Sequence, residues 1–171
     1  MLGRLVRSYA GRLYVHVPLD RPFDPDALPS SDPEDRWSTP AEPTIYLSSD
    51  PGVVIAEYGR HTASTDELAS RRVLELDVDS PAVLDLRDPD VLGELGVDGG
   101  PIAFLDVARC RAIAGGLRRD GVCEGILVPS VAFLDVADRH NAVFFAERLT
   151  RGTRGLVTGC REVARLESVP R

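Results

Sequence analysis

The sequence predicts a single α+β domain, with central mixed or antiparallel sheets and helices flanking them. Three observations predict it. The apolar runs, such as residues 126–128 and 142–146, are of strand length. Helical and strand patterns mix without the strict alternation that builds a doubly wound parallel sheet. A chain of 171 residues, 43% of them hydrophobic, suffices for one full core and falls short of two comfortable domains. Only 6% of residues are aromatic, so Val, Leu, Ile and Ala must fill the interior.

Residues 12–17, RLYVHV, alternate as a half-buried strand does, and Pro18 ends the run. Residues 19–43 hold Pro22, Pro25, Pro29, Pro33, Pro40 and Pro43. Each proline lacks a donor and restricts its predecessor, so this stretch is a long loop. A loop of that length in a small domain is more often functional than decorative. Residues 44–48 form a strand bearing Tyr46. Asp50 then caps a helix whose first turn starts at Pro51. Val53, Val54 and Glu57 fall within a turn or so of one another, which sets Glu57 near the apolar face. Residues 72–78 and 83–86 read as two strands parted by a Ser80-Pro81 turn. Residues 88–95 form a short helix and 106–119 a longer one, weakened by Gly115-Gly116. Strands follow at 125–128, 142–147 and 161–169.

The net charge of −7 argues against a nucleic-acid binder, because neutralising phosphates needs a basic face. Every one of the 20 Lys+Arg residues is arginine. A Schiff-base lysine and a P-loop are therefore excluded, and an anionic ligand must be held by arginine or by backbone N–H groups. No apolar run approaches the ~20 residues of a membrane span, and residues 1–11 lack a signal-peptide core. A soluble, cytoplasmic protein is expected. Cys110, Cys123 and Cys160 have neither CxxC spacing nor a histidine pair beside them, which predicts free thiols and no metal site. Cys110, on one helix face with Ala114 and Leu117, is expected in the core. There is no GxGxxG, so a nicotinamide dinucleotide would not be held in the Rossmann manner.

Residues 35–62, DRWSTPAEPTIYLSSDPGVVIAEYGRHT, join an Arg-Trp pair, a proline-broken loop, the Tyr46 strand and the Glu57 helix. GILVPS, residues 125–130, follows far downstream. In this order the motifs resemble the RES domain, a family of NAD+-consuming bacterial toxins named for an arginine, a glutamate and a serine. The resemblance spans about residues 11–149. It implies an ADP-ribosyltransferase-like fold, with NAD+ as substrate and no further cofactor. It implies cleavage of the nicotinamide–ribose N-glycosidic bond, by a glycohydrolase using water or a phosphorylase using phosphate. It also implies a helical cognate antitoxin that blocks the pocket. Self-association is a further partnership the sequence leaves open.

The resemblance assigns catalytic roles to Glu57, Tyr46 and Ser130, and substrate contacts to Arg36, Trp37 and Tyr46; likeness to diphtheria-type ADP-ribosyltransferase folds adds His16 to the catalytic candidates. Departure of nicotinamide leaves positive charge on the ribose C1′, and a fixed carboxylate such as Glu57 favours that state. Tyr46 would stack near the nicotinamide. Arg36 would bind the pyrophosphate through its planar guanidinium. Ser130, after Val128-Pro129, would orient the carboxylate or the ligand.

Several positions depart from the family pattern. Asp35 replaces the glycine before Arg36-Trp37, and Ser38 stands where asparagine is common. Tyr14 is followed by Val15 where the family has arginine. His16 fits the histidine–tyrosine–glutamate order of diphtheria-type ADP-ribosyltransferase folds. It points away from Val15's face of a regular strand, so only a bulge would let it replace the arginine. Arg12 shares its face. Asn141 is expected to be a turn residue, and His61 and His140 to lie at the surface. Two other readings stay open: a catalytically silent member that binds a nucleotide or a protein partner, and an unrelated α+β domain.

Overall fold

In the computed structural model, residues 2–30, 32, 35–61, 70–136 and 138–166 are described. Six strands make one mixed sheet. Strand β1 (Arg7–Pro18) runs five residues ahead of the alternating stretch seen in sequence, because its outer part pairs with β3 (Arg71–Asp85) from Arg7↔Val83 to Pro18↔Arg71. Strand β2 (Thr44–Ser48) pairs antiparallel with β5 (His140–Phe145), and β5 with β4 (Gly125–Pro129). Strand β4 then runs parallel to residues 83–85 of β3. Because β1 touches both β2, at Tyr14↔Ser48, and β3, the pairings close on themselves. Strand β6 (Val157–Leu166) extends the sheet on β3.

The turn expected at Ser80-Pro81 is absent: β3 is one continuous strand of 15 residues. Pro81 is tolerated because ladder pairing lapses around it. The β1 register shifts between Arg7 and Tyr9, β6 pairing ends at Val78, and β4 pairing starts only at Val83. A missing N–H at such an irregularity removes no ladder bond. Gly125 opens β4 for a packing reason, since an added Cβ would lie 2.6 Å from the Phe144 ring and 2.7 Å from the Val143 carbonyl oxygen.

The first helix starts where its cap predicts, and the next two start one residue after the positions expected. Asp50 accepts from the N–H groups of Gly52 (2.7 Å) and Val53 (3.1 Å) at the head of α1 (Pro51–His61). Asp88 caps α2 (Pro89–Leu95) and Asp106 caps α3 (Val107–Asp120). Helix α3 passes unbroken through Gly115-Gly116, because Cys110, Ala114 and Leu117 bury one stripe and outweigh the glycine cost. A short α4 (Gly152–Leu156) leads into β6, which begins four residues earlier than expected. The end of that expected strand, 167–169, lies outside the described residues.

Period-two alternation divides the interior. Ile45, Leu47, Leu127, Ala142 and Phe144 enter one core with Leu13, Leu74 and Leu76 of β1 and β3. Ile126, Val128, Val143 and Phe145 enter the other, under α2 and α3, with Trp37 and Phe104. Tyr46, Ser48 and Asn141 thus share the face opposite Ile45 and Leu47, and α1 crosses there. All three cysteines are free thiols, Cys110 and Cys123 buried and Cys160 exposed. Among the described residues no helix is long and apolar enough to cross a membrane, and no cluster of three or more His, Cys, Asp or Glu side chains could hold a metal.

Candidate active site

A cavity of about 780 Å³ opens between β1, β2, β5, α1 and the loop before β2. Its size falls in the range of ligand sites. Glu57 reaches it from the second turn of α1 (Pro51–His61), which is anchored below by Val53 (0% exposed) and Val54 (3%). The Glu57 carboxylate is held from two other elements. Ser130 Oγ, just past β4, donates to Glu57 Oε1 at 2.6 Å, and Asn141 Nδ2 on β5 donates to the same oxygen at 3.2 Å. Asn141 Oδ1 in turn accepts from Ser48 Oγ at 2.8 Å, its register partner on β2. Glu57 Oε2 has no donor among the described residues.

Asn141 is therefore no turn residue. It lies in β5 and braces the glutamate. Sequence reasoning missed it, along with Ser48, although Ser48 stands two residues after Tyr46 on the same strand face. His140 also departs from expectation: it is half-buried, its Nε2 is enclosed without a partner among the described residues, and burial pushes its pKa down. The His61 side chain lies outside the described residues.

Tyr46 faces the cavity, but its hydroxyl is engaged. It accepts from the Trp37 N–H (3.1 Å) and shares a hydrogen bond with Ser38 Oγ (3.2 Å). Burial pushes its pKa up to about 12, so the phenol stays protonated at neutral pH. Tyr46 thereby ties the Arg36-Trp37 loop to the sheet. Trp37 is 3% exposed and packs on Phe104 with ring centroids 5.3 Å apart, while still lining the cavity. Arg36 also lines the cavity, yet its Nη1 donates to the carbonyls of Phe104 (2.9 Å) and Leu105 (3.0 Å). Arg111 holds the same loop through the Asp35 carbonyl, from Nη2 at 2.8 Å and Nε at 3.1 Å.

On β1 the ladder is regular from Tyr9 to Pro18, so no bulge carries His16 to Val15's side. His16 instead faces α1, its ring 4.0 Å from that of Tyr58. Its Nδ1 accepts from Arg71 Nε at 2.8 Å, and Arg71 lies 5.0 Å over the Tyr58 ring. Burial first, then the Arg71 charge, push His16 down to about 4. Arg71 and Tyr58 both line the cavity. Neither was singled out from sequence, because only the β1–β3 register brings Arg71 beside His16. The structure thus gathers His16, Arg36, Trp37, Tyr46 and Glu57 around one cavity, with Ser130 bonded to Glu57 and itself fully buried.

Comparison with known proteins agrees with this architecture. The chain is similar in structure to the MbcT toxin in the crystal structure of the M. tuberculosis MbcT–MbcA toxin–antitoxin complex. The TM-score is 0.65 at 20% identity, covering 93% of this chain and 87% of that one. No curated protein matches the chain. The RES domain model matches residues 4–161, a wider span than the motifs alone suggested, and the chain belongs to the RES domain family.

Proposed function

We propose that this protein is the toxin of a cytoplasmic toxin–antitoxin pair and consumes NAD+ by cleaving its nicotinamide–ribose bond. One observation carries the reading: a carboxylate at the cavity wall has one oxygen fixed by Ser130 and Asn141 and the other without a donor among the described residues. Two neutral donors orient Glu57 without cancelling its charge. As the C1′–N bond breaks, nicotinamide leaves with the electron pair and the ribose becomes cationic. A carboxylate already in position stabilises that charge with no reorganisation. Water then attacks C1′ and releases a proton, or phosphate attacks and remains attached. Tyr46 would pack beside the nicotinamide, and Arg36 and Trp37 would form the wall along which the dinucleotide lies. The fold shared with MbcT supports a protein antitoxin as the partner that closes the cavity.

The direct test is free nicotinamide released from NAD+ by the purified chain, with and without phosphate. Release that depends on Glu57 supports the reading, and the phosphate arm separates phosphorolysis from hydrolysis. A second reading, a silent binder, is favoured by Val15, which packs against the core of Leu13, Leu74 and Leu76 where the family carries an arginine. NAD+ binding without nicotinamide release would select it.

A further inference from the structure

Charge at the cavity is unevenly committed. Among the half-buried or buried arginines, Arg87 is paired with Asp85 (2.7 Å), Arg72 with Glu162 (3.2 Å) and Arg118 with Glu147. Arg36 is drawn to two carbonyls through Nη1, so its charge is fixed toward the turn at 104–105. Arg71 differs. It lines the cavity, and no carboxylate pairs with it among the described residues. Its only hydrogen bond there uses Nε, toward His16 Nδ1, and its plane lies over the Tyr58 ring. Nη1 and Nη2 have no acceptor among the described residues.

We infer that Arg71 is the anion anchor of the cavity, a guanidinium aligned by His16 and Tyr58 whose two terminal nitrogens receive a phosphoryl group. The geometry requires His16 to accept at Nδ1, so the imidazole is neutral while it holds Nε. The low His16 pKa agrees with this. Neutral supports suit the task, because a carboxylate in the place of His16 would neutralise the cation that must meet the anion. A guanidinium is the fitting group, since its planar fork matches two phosphoryl oxygens at once. In a chain of net charge −7, a local unneutralised cation is what lets an anion enter. Arg71 sits on β3 opposite Pro18, three positions along the ladder from the pairing of Val15 with Leu74. A cation missing from β1 is thus supplied by the neighbouring strand. The ligand is a phosphoryl group from one of two sources, the pyrophosphate of a dinucleotide or free inorganic phosphate. Only that choice rests on the NAD+ reading.

Calorimetric titration of the full chain with inorganic phosphate and, separately, with adenosine diphosphate tests this without any turnover. Arg71→Ala should weaken at least one probe by about 10–100-fold, as loss of hydrogen bonds to a charged group does. Loss for adenosine diphosphate alone marks a pyrophosphate anchor, and loss for inorganic phosphate alone marks a site for the free ion. Arg36→Ala should weaken the same probe less. His16→Ala should weaken it by an intermediate factor, and His16→Asn, whose Oδ1 stands near the Nδ1 position, should restore most of it. A purely structural histidine would show no such rescue. Should Arg71→Ala fold poorly, Arg71→Gln keeps the stem and answers the same question. The inference is overturned if wild type binds neither probe, or if both Arg71 variants bind both within twofold of wild type. Nicotinamide release by Arg71→Ala with KM unchanged for both NAD+ and phosphate would also overturn it while leaving the proposed reaction standing.

Discussion

Two acid–arginine regions of this molecule use the same residue types to opposite ends. Beneath the sheet, Glu124 is 5% exposed and both its oxygens are occupied. Oε1 accepts from the Thr150 N–H (2.8 Å) and Oγ1 (2.5 Å), and Oε2 accepts from Ser80 Oγ (2.8 Å). Arg118, nearby in the chain on α3, gives Nη1 to Glu147 and Nη2 to Thr44 Oγ1 (2.5 Å), with its plane 4.2 Å over Phe145. At the cavity, Glu57 uses one oxygen and Arg71 only Nε. Glu124 and Arg118 spend their outer atoms on the protein, whereas Glu57 keeps one oxygen and Arg71 both terminal nitrogens without a partner among the described residues. A buried charge without compensation is costly, so leaving one half-satisfied beside a cavity marks a place where a ligand completes it.

The largest expected effect tests the cavity half of that contrast. Glu57→Gln keeps shape and hydrogen-bonding capacity but loses the charge, so nicotinamide release should fall by about 10²–10³ with KM little changed. Steady-state kinetics checks this, and unaltered kcat would remove Glu57 from the reaction. Glu124→Ala should do the reverse. It strands the fully buried Ser80 hydroxyl and the Thr150 donors, costing about 3 kcal/mol in denaturant unfolding. Its kcat should stay near wild type while the chain remains folded.

A third prediction concerns pH. His16 titrates at about 4 when folded against 6.5 in the unfolded chain. As pH falls below 6.5 the unfolded chain gains a proton that folded His16, beside the Arg71 cation, refuses. Stability is therefore lost between about pH 6.5 and 4 and levels off below, by up to about 3 kcal/mol from this group. Unfolding of His16→Ala across that window should show a shallower slope, with the part due to His140 remaining. An identical slope would mean that His16 is not shifted. The smallest effect should come from Ser130→Ala. Asn141 still holds Glu57 Oε1, so turnover should drop roughly tenfold, less than for Glu57→Gln. A drop equal to that of Glu57→Gln would show Ser130 acting on the substrate itself.

Much of the site was legible because its parts are local in sequence. Tyr46, Asp50, Pro51 and Glu57 lie on one strand–cap–helix unit, and caps and period-two alternation act over a few residues. That is also why α1 begins where the Asp50 cap predicts, and why the helices expected from residues 88 and 106 start within one residue of those positions, with Asp88 and Asp106 as their caps. The Glu57–Ser130 contact came from family resemblance, since no local rule joins residues 73 positions apart. Asn141 read as a turn residue because asparagine before an apolar run ordinarily is one. Only pairing of β5 with β2 and β4 sets it beside Ser48 and Glu57.

By itself the sequence determined the fold class, the helix starts, the strand faces and the dependence on arginine for any anionic ligand. Tertiary structure alone decided that β3 runs through Ser80-Pro81, that Arg36 serves a turn, and that Arg71 faces the cavity beside His16. The first and last of these outcomes depend on strand register, and the second on packing of the loop before β2 against residues 104–105. Register is set by which distant segments pair and by the core they jointly bury, and a shift of one residue would send every side chain to the other face.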